Sequence, residues 1–143
     1  MDRVSKSDRS RIMSRIRSKD TKPELLVRQM LHREGVRYRV HSKNIPGTPD
    51  ISIKKYRLII DVRGCFWHGH RNCRDGHIPK TNKKFWHDKI ERNKARDFKN
   101  ENYYKKHGFT VFIFWECEAR DPKELSRKVG QVMRHLRETR SEG

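Results

Sequence analysis

The sequence predicts a single α/β domain in which a mixed β-sheet is flanked by helices. Helical and strand periodicities follow one another in the order α-β-β-β-α-β-α. The 143 residues are enough for one domain and not comfortably for two. Only 32% of the residues are apolar, so we expect a small core that a structural metal would help to stabilise.

The charge of the chain indicates a polyanionic partner. Lys and Arg number 36 against 18 Asp and Glu, which gives a formal net charge of +18. Nucleic acid is the simplest such partner, and an anionic membrane is the alternative. However, no apolar run approaches the roughly 20 residues of a membrane span, and the N-terminus lacks the apolar segment of a signal peptide. Three cysteines exclude a full disulfide framework, so we expect a reducing cytoplasm.

Residues 1–20 form a basic, serine-rich arm that we separate from the domain proper, residues 21–143. Two interpretations of the arm stay open. It is either a frayed, solvated tail or a segment that becomes ordered on DNA, where Met13 or Ile16 is available as a wedge between bases.

The first helix begins at Thr21-Lys-Pro-Glu24, which has the pattern of a capping box with proline in the first turn. An apolar face with a period of 3.6 follows, and Gly35 ends the helix. In this interpretation Glu24 is a structural cap. Residues 36–40 then alternate with a period of two, which predicts a strand.

A β-hairpin follows, with strands at residues 50–53 and 56–62 joined across Lys54-Lys55. Asp50 comes directly after a proline, and Asp61 lies eleven residues later on the adjacent strand, with Arg63 two residues further on. Two neighbouring carboxylates bind Mg²⁺ through oxygen, and a basic side chain can stabilise the charge that develops on a phosphate. The alternative is a turn aspartate and an ion pair at a strand edge.

A long helix is predicted over residues 85–107, ended by Gly108, and an apolar segment at residues 109–115 predicts a central strand. A last amphipathic helix begins at Asp121-Pro-Lys-Glu124. One stripe of the long helix begins apolar and ends polar, so we expect it to run from the core into a polar site; it comprises Trp86, Ile90, Asn93 and Asp97.

The three cysteines and one histidine have the composition of a tetrahedral zinc site. The candidate ligands are Cys65, His70, Cys73 and Cys117, which use every cysteine of the chain. Spacing alone leaves His68 and His77 as competitors of His70. Four protein ligands would close the site, so the zinc would be structural.

Several motifs resemble those of the very short patch repair endonucleases. These are Pro46-Gly-Thr-Pro-Asp50, Gly64-Cys-Phe-Trp-His68, Phe85-Trp86, Arg96-Asp97 and Trp115-Glu-Cys117, together with the N-terminal region around Met13 and Glu24. The resemblance covers nearly the whole chain. It implies the fold of the type II restriction endonucleases and a Mg²⁺-dependent enzyme that nicks DNA 5′ to the thymine of a thymine–guanine mismatch left by deamination of 5-methylcytosine.

The resemblance also implies roles for individual residues. Asp50 is the Mg²⁺-binding aspartate, His68 the catalytic histidine, Asp97 its carboxylate partner, and Glu24 an outer acid that reaches the metal through water. Cys65, His70, Cys73 and Cys117 match the structural zinc ligands. Phe66, Trp67 and Trp86 match aromatics beside the mismatch, Met13 matches an intercalating residue, and we expect Asn93 to contact the DNA as well.

The chain departs from the family at Asp61-Val-Arg63, where the family has an apolar residue first and a histidine or acid third. The number of catalytic metals and the mismatch specificity therefore stay open, and a related site-specific nuclease is one alternative. A zinc-stapled DNA-binding protein without catalysis is another, since only Asp50, Asp61, His68 and Asp97 distinguish a nuclease from it. We expect a monomer.

Overall fold

The protein is described from a computed structural model, which covers residues 20–71 and 73–142. Met13 and nearly all of the predicted arm lie outside these residues. The elements are α1 (Lys22–Arg33), β1 (Arg39–Val40), β2 (Ile51–Ile53), β3 (Leu58–Arg63), α2 (Lys83–Lys106), β4 (Thr110–Trp115), α3 (Glu116–Arg120) and α4 (Pro122–Glu142).

The four described strands form one mixed sheet in the order β1-β2-β3-β4. β1 pairs with β2 and β2 with β3 in antiparallel fashion, whereas β3 and β4 run parallel. The predicted hairpin is confirmed, and its turn is a short 3₁₀ segment closed by Arg57 in the left-handed region, at φ +48°. The crossover from β3 to β4 contains α2, as a parallel pair requires.

Helices cover both faces of the sheet. On one face, side chains of α1 and α4 such as Leu31 and Val132 pack against Ile60 and Phe114. On the other face Tyr104 of α2 packs against Ile59. The predicted mixed sheet flanked by helices is therefore confirmed. No helix in the described part of the chain is long and apolar enough to cross a bilayer.

Two predictions about strands were wrong in detail. The strand predicted at residues 36–40 is confined to Arg39 and Val40, because only these two residues pair with β2. Val36 and Tyr38 pack against the core without joining the ladder. The segment predicted as a central strand, observed as β4, lies at the end of the strand order. It is apolar on both sides because helices cover both of its faces, a pattern that does not distinguish an edge strand from a central one.

The helices agree more closely with expectation. α1 ends where Gly35 adopts φ +78° and donates to the carbonyl of His32, as a C-terminal glycine predicts. α2 begins two residues earlier than predicted. α3 was not predicted, since five residues are too few to show a helical period.

Candidate active site and metal cluster

A cleft of about 730 Å³ opens where β2 begins and β3 ends. The register pairs Ile51 with Ile60, which sets Asp50 opposite Asp61. The Val62 N–H donates to Asp50 Oδ2 at 2.7 Å, and the Asp50 N–H donates to Asp61 Oδ1 at 3.4 Å. The hairpin therefore fixes the two carboxylates side by side, as the sequence predicted.

Both carboxylates favour a positive ligand. Burial, followed by repulsion from Asp61, raises the pKa of Asp50 to about 8. Burial also raises the pKa of Asp61, against the opposing effect of Arg63. A pair of adjacent buried carboxyl groups is stabilised in its ionised form by a cation. Their oxygens are the donors that Mg²⁺ prefers, so the residues present fit this metal.

His68 enters the same cleft from the loop after β3. Its Nδ1 lies 2.6 Å from Asp97 Oδ2, where an N–H can donate to the carboxylate. In the neutral imidazole tautomer that makes this bond, Nε2 is the acceptor nitrogen. The loop is held by Asn93, whose side-chain amide donates to the Trp67 carbonyl at 2.8 Å. Asn93 thus braces the loop from the predicted stripe of α2.

Glu24 also lines the cleft and is only 2% exposed. Its N–H donates to Thr21 Oγ1 at 3.4 Å, which is one half of the predicted capping box; the return bond goes instead from the Asp20 N–H to Glu24 Oε2 at 2.7 Å. Oε1 is held by Arg28 at 2.9 Å and by His41 at 2.7 Å. Glu24 is therefore both a cap and a fixed acid of the cleft.

Asp20, Glu24 and His41 bring three possible ligand atoms within 4.8 Å of one another. Arg28 bridges Asp20 and Glu24 at 2.7 and 2.9 Å, so a guanidinium already supplies the positive charge at this position. The negative charges of this cluster are therefore already balanced by Arg28, and we do not assign a metal to it.

The predicted zinc ligands do come together. The ligand atoms of Cys65, His70, Cys73 and Cys117 all lie within 4.8 Å of one another, and the thiols form no disulfide. The His70 ring stacks on Trp115 at 4.0 Å between centroids, while His68 is bound to Asp97. The geometry thus selects His70 over its competitors. Three thiols and an imidazole are a donor set that fits zinc.

The aromatic residues form a cluster outside both cores. Phe66, Trp67 and Trp86 contact one another edge to face, with centroids 5.1 to 5.8 Å apart. Phe85 extends the cluster and is 54% exposed, and the ammonium of Lys89 lies 5.4 Å from the Trp67 ring. We expected stacking residues rather than core residues, and these half-exposed rings beside a cationic group are consistent with that expectation.

The Arg63 side chain is not exposed in the way that a phosphate-binding residue is expected to be. It is 8% exposed and its terminal nitrogen donates to Glu101 Oε1 at 2.9 Å. Sequence analysis did not single out Glu101, although it lies one turn after Asp97 and so extends the stripe of α2. Arg28 was overlooked in the same way, four residues after Glu24.

Comparison with known proteins places these features in a family. A sequence model described as DNA mismatch endonuclease Vsr matches residues 1–74. The type II nicking enzyme V.NmeAIP of Neisseria meningitidis serogroup A is 43% identical over 137 residues, which cover 96% of this chain and 97% of the relative. The type II nicking enzyme V.XorIIP of Xanthomonas oryzae is 43% identical, over 92% and 96% of the two chains. The DNA mismatch endonuclease Vsr of Escherichia coli K12 is 36% identical, over 85% and 77%.

Proposed function

Because the chain belongs to the Vsr family and is a DNA endonuclease, we propose that it nicks one strand 5′ to the thymine of a thymine–guanine mismatch. The step would initiate repair of deaminated 5-methylcytosine. One observation carries the proposal: Asp50, Asp61 and the His68–Asp97 pair share a cleft whose rim is lined by Phe66 and Trp67. The restriction-endonuclease fold, the monomeric state and the DNA-binding role of the basic arm are part of the same proposal.

The carboxylates Asp50 and Asp61 would hold Mg²⁺, and their raised pKa values support this assignment. The metal would polarise the scissile phosphate and lower the pKa of a bound water. Glu24 is then an outer acid, because Arg28 and His41 already occupy one of its oxygens.

His68 is the proposed general base. Its Nδ1–H is bound to Asp97, so Nε2 is free to accept a proton from the attacking water. Asp97 fixes the ring orientation and balances the imidazolium that forms, as a carboxylate does beside a catalytic histidine.

Phe66, Trp67 and Trp86 would stack beside the mismatch, where unpairing is less costly than in a matched duplex. Zinc held by Cys65, His70, Cys73 and Cys117 would fix the same loop to the start of α3. The loop would then present its aromatic residues and His68 on a rigid support.

The proposal is tested with labelled duplexes that carry each mismatch in turn, incubated with Mg²⁺ or with EDTA. We expect one nick 5′ to thymine in the thymine–guanine duplex, with Mg²⁺ only. Binding without cleavage in every duplex would instead indicate a DNA-binding protein.

A second candidate function is nicking at a specific sequence without a mismatch. It is favoured by Asp61-Val-Arg63, which places a second carboxylate beside Asp50 where the family pattern has an apolar residue. A nick in the matched duplexes of the same experiment would support it.

A further inference from the structure

Arg63 is a buried cation that faces acids of the protein. Its side chain lies between α2 and the Trp115 ring, with the guanidinium carbon 6.0 Å from the ring centroid. The terminal nitrogen donates to Glu101, and Nε lies 3.9 Å from Asp97 Oδ2. Within the described residues this Nε has no hydrogen-bond partner. The positive charge therefore lies beside Asp97 and Glu101, and it also acts on the neighbouring carboxylate of Asp61.

Asp97 Oδ2 is also the atom that accepts the hydrogen bond from His68 Nδ1. The same oxygen thus binds the His68 imidazole and lies in the electrostatic field of the Arg63 guanidinium. Asp97 and Glu101 are one turn apart on α2, so their carboxylates are neighbours on the helix surface. The guanidinium that Glu101 binds is therefore also held close to Asp97. A continuous chain of contacts runs from Glu101 through Arg63 and Asp97 to His68.

We propose that Arg63 and Glu101 are positioning residues that hold the Asp97–His68 pair, and that Arg63 does not contact the scissile phosphate. This inference rests on the proposed function, in which His68 is the base. It replaces the role that the sequence suggested for Arg63, which was stabilisation of charge on the phosphate.

Two physical arguments support the positioning role. A guanidinium that binds phosphate does so with a free fork of N–H groups, whereas one of the two terminal nitrogens of Arg63, Nη2, already donates to Glu101. Removing one partner of a buried ion pair also leaves the remaining charge uncompensated. Without Arg63, Glu101 would lose its ion-pair partner and Asp97 would lose the guanidinium 3.9 Å from Oδ2, so the orientation of Asp97 toward His68 would loosen.

The test is a double-mutant cycle on single-turnover nicking at saturating Mg²⁺. Glu101→Gln and Arg63→Gln are each made in the wild-type chain and in His68→Ala. We expect losses of about 10- to 100-fold in the wild-type background, the range typical of residues that support an active-site ligand. In the His68→Ala background we expect no further loss of nicking rate, because the imidazole that Arg63 and Glu101 help to position is no longer present.

Two further readouts and a matched control variant separate positioning from general structural damage. Duplex affinity should stay unchanged while the nicking rate falls. The His68 imidazole nitrogen resonances in ¹⁵N NMR should shift in Glu101→Gln. The matched control is Glu91→Gln, on the same helix but exposed and paired with Lys94 at 3.6 Å, and it should show neither effect. Glu101→Gln decides the question even if Arg63→Gln fails to fold.

Several outcomes would overturn the inference. An equal loss in the His68→Ala background would show that Arg63 acts independently of His68, on the phosphate or on the neighbouring Asp61. Unchanged or faster nicking by Glu101→Gln would show that Glu101 is dispensable or competes with the phosphate for Arg63. Wild-type nicking by His68→Ala alone would instead overturn the base assignment in the proposed function, which distinguishes that failure from failure of the positioning role.

Discussion

The loop after β3 serves two clusters that differ in ligand chemistry and in access. Cys65, His70 and Cys73 turn toward Cys117 and make a compact set of sulfur and nitrogen donors. His68, from the same loop, enters an open cleft of oxygen donors at Asp50. A closed set of four protein ligands suits a structural metal, whereas carboxylates in an open cleft leave room for water and substrate. If these proposed assignments hold, one short loop supports both folding and chemistry, and mutations should separate the two.

The largest effect is expected at the sulfur cluster. Structural zinc contributes about 10–16 kcal/mol in small zinc-binding peptides, as much as the whole stability of many domains. Cys117→Ser should therefore lose bound zinc, lower the unfolding temperature and abolish nicking. Elemental analysis and thermal unfolding measure this. His77→Ala, near the cluster but outside it, is the control and should keep its zinc. A folded, active wild-type preparation without zinc would contradict the assignment.

The second largest effect is expected in the open cleft. His68→Ala should reduce nicking by about 100- to 10,000-fold, the usual contribution of a general base. Zinc content and duplex affinity should remain unchanged, which is the opposite of the Cys117→Ser result. Asp97→Asn should give a smaller loss that is not additive with it. Single-turnover rates and zinc content measure both.

His87→Ala is the matched control for this comparison. His87 also lies beside a carboxylate, Asp88, at 3.7 Å, but both side chains are more than half exposed. It should nick at the wild-type rate. Loss of zinc in His68→Ala would indicate that His68 is a zinc ligand, and the proposed separation of the two clusters would then be wrong.

The two clusters were predictable from the sequence to different extents. The candidate zinc ligands were singled out by residue type, but spacing left three histidines as candidates, and only the folded loop shows His70 close to the thiols. The sequence placed Asp50 and Asp61 on adjacent strands because two apolar segments flank a short polar turn, which is the pattern of a β-hairpin. The structure has this hairpin. Glu101 was missed because its partner, Arg63, lies on β3. Arg28 pairs with Glu24 four residues earlier on the same helix, so its spacing was visible in the sequence and was overlooked.

The fold shows the same limit. Local signals such as Gly35 and the hairpin turn were sufficient for element boundaries to within a few residues. The edge position of β4 was not predictable, because strand order depends on which faces the helices cover rather than on the strand itself. α3 follows β4 directly and carries Cys117.

A third prediction concerns the aromatic rim between the two clusters. Trp67→Ala should reduce the preference for mismatched over matched duplex, because stacking on a base contributes about 1–3 kcal/mol per aromatic side chain. General affinity should change less, since the basic surface supplies it. Competition binding with matched and mismatched duplexes measures both.

Phe98→Ala is the control for the rim. Phe98 is 66% exposed on α2 and does not contact the aromatic cluster in the described structure. It should keep the mismatch preference. An equal loss of affinity for both duplexes in Trp67→Ala would indicate that Trp67 only supports the loop.

The smallest effect concerns pH and sharpens the contrast between oxygen and sulfur donors. Burial and the neighbouring Asp61 raise the pKa of Asp50 to about 8. Below that pH Mg²⁺ must displace a proton, so its dissociation constant should fall by up to about tenfold per pH unit as the pH rises toward 8, which corresponds to about 1.4 kcal/mol per unit. Above the pKa the dissociation constant should level off. Titration of Mg²⁺ between pH 6 and 9 measures this.

In EDTA-treated protein that keeps its zinc, the free energy of unfolding should fall as the pH rises, whereas the affinity for Mg²⁺ rises. The folded pKa of Asp50 lies above the unfolded value of about 4, so the folded state binds more protons between the two and the free energy of unfolding falls as the pH rises through that window. Saturating Mg²⁺ should offset the fall, because a cation stabilises the ionised pair. In Asp50→Asn both dependences should weaken together, while zinc content stays constant. A Mg²⁺ affinity that is independent of pH between 6 and 8 would show that Asp50 is already ionised and that the oxygen cluster, like the sulfur cluster, is organised before the catalytic metal binds.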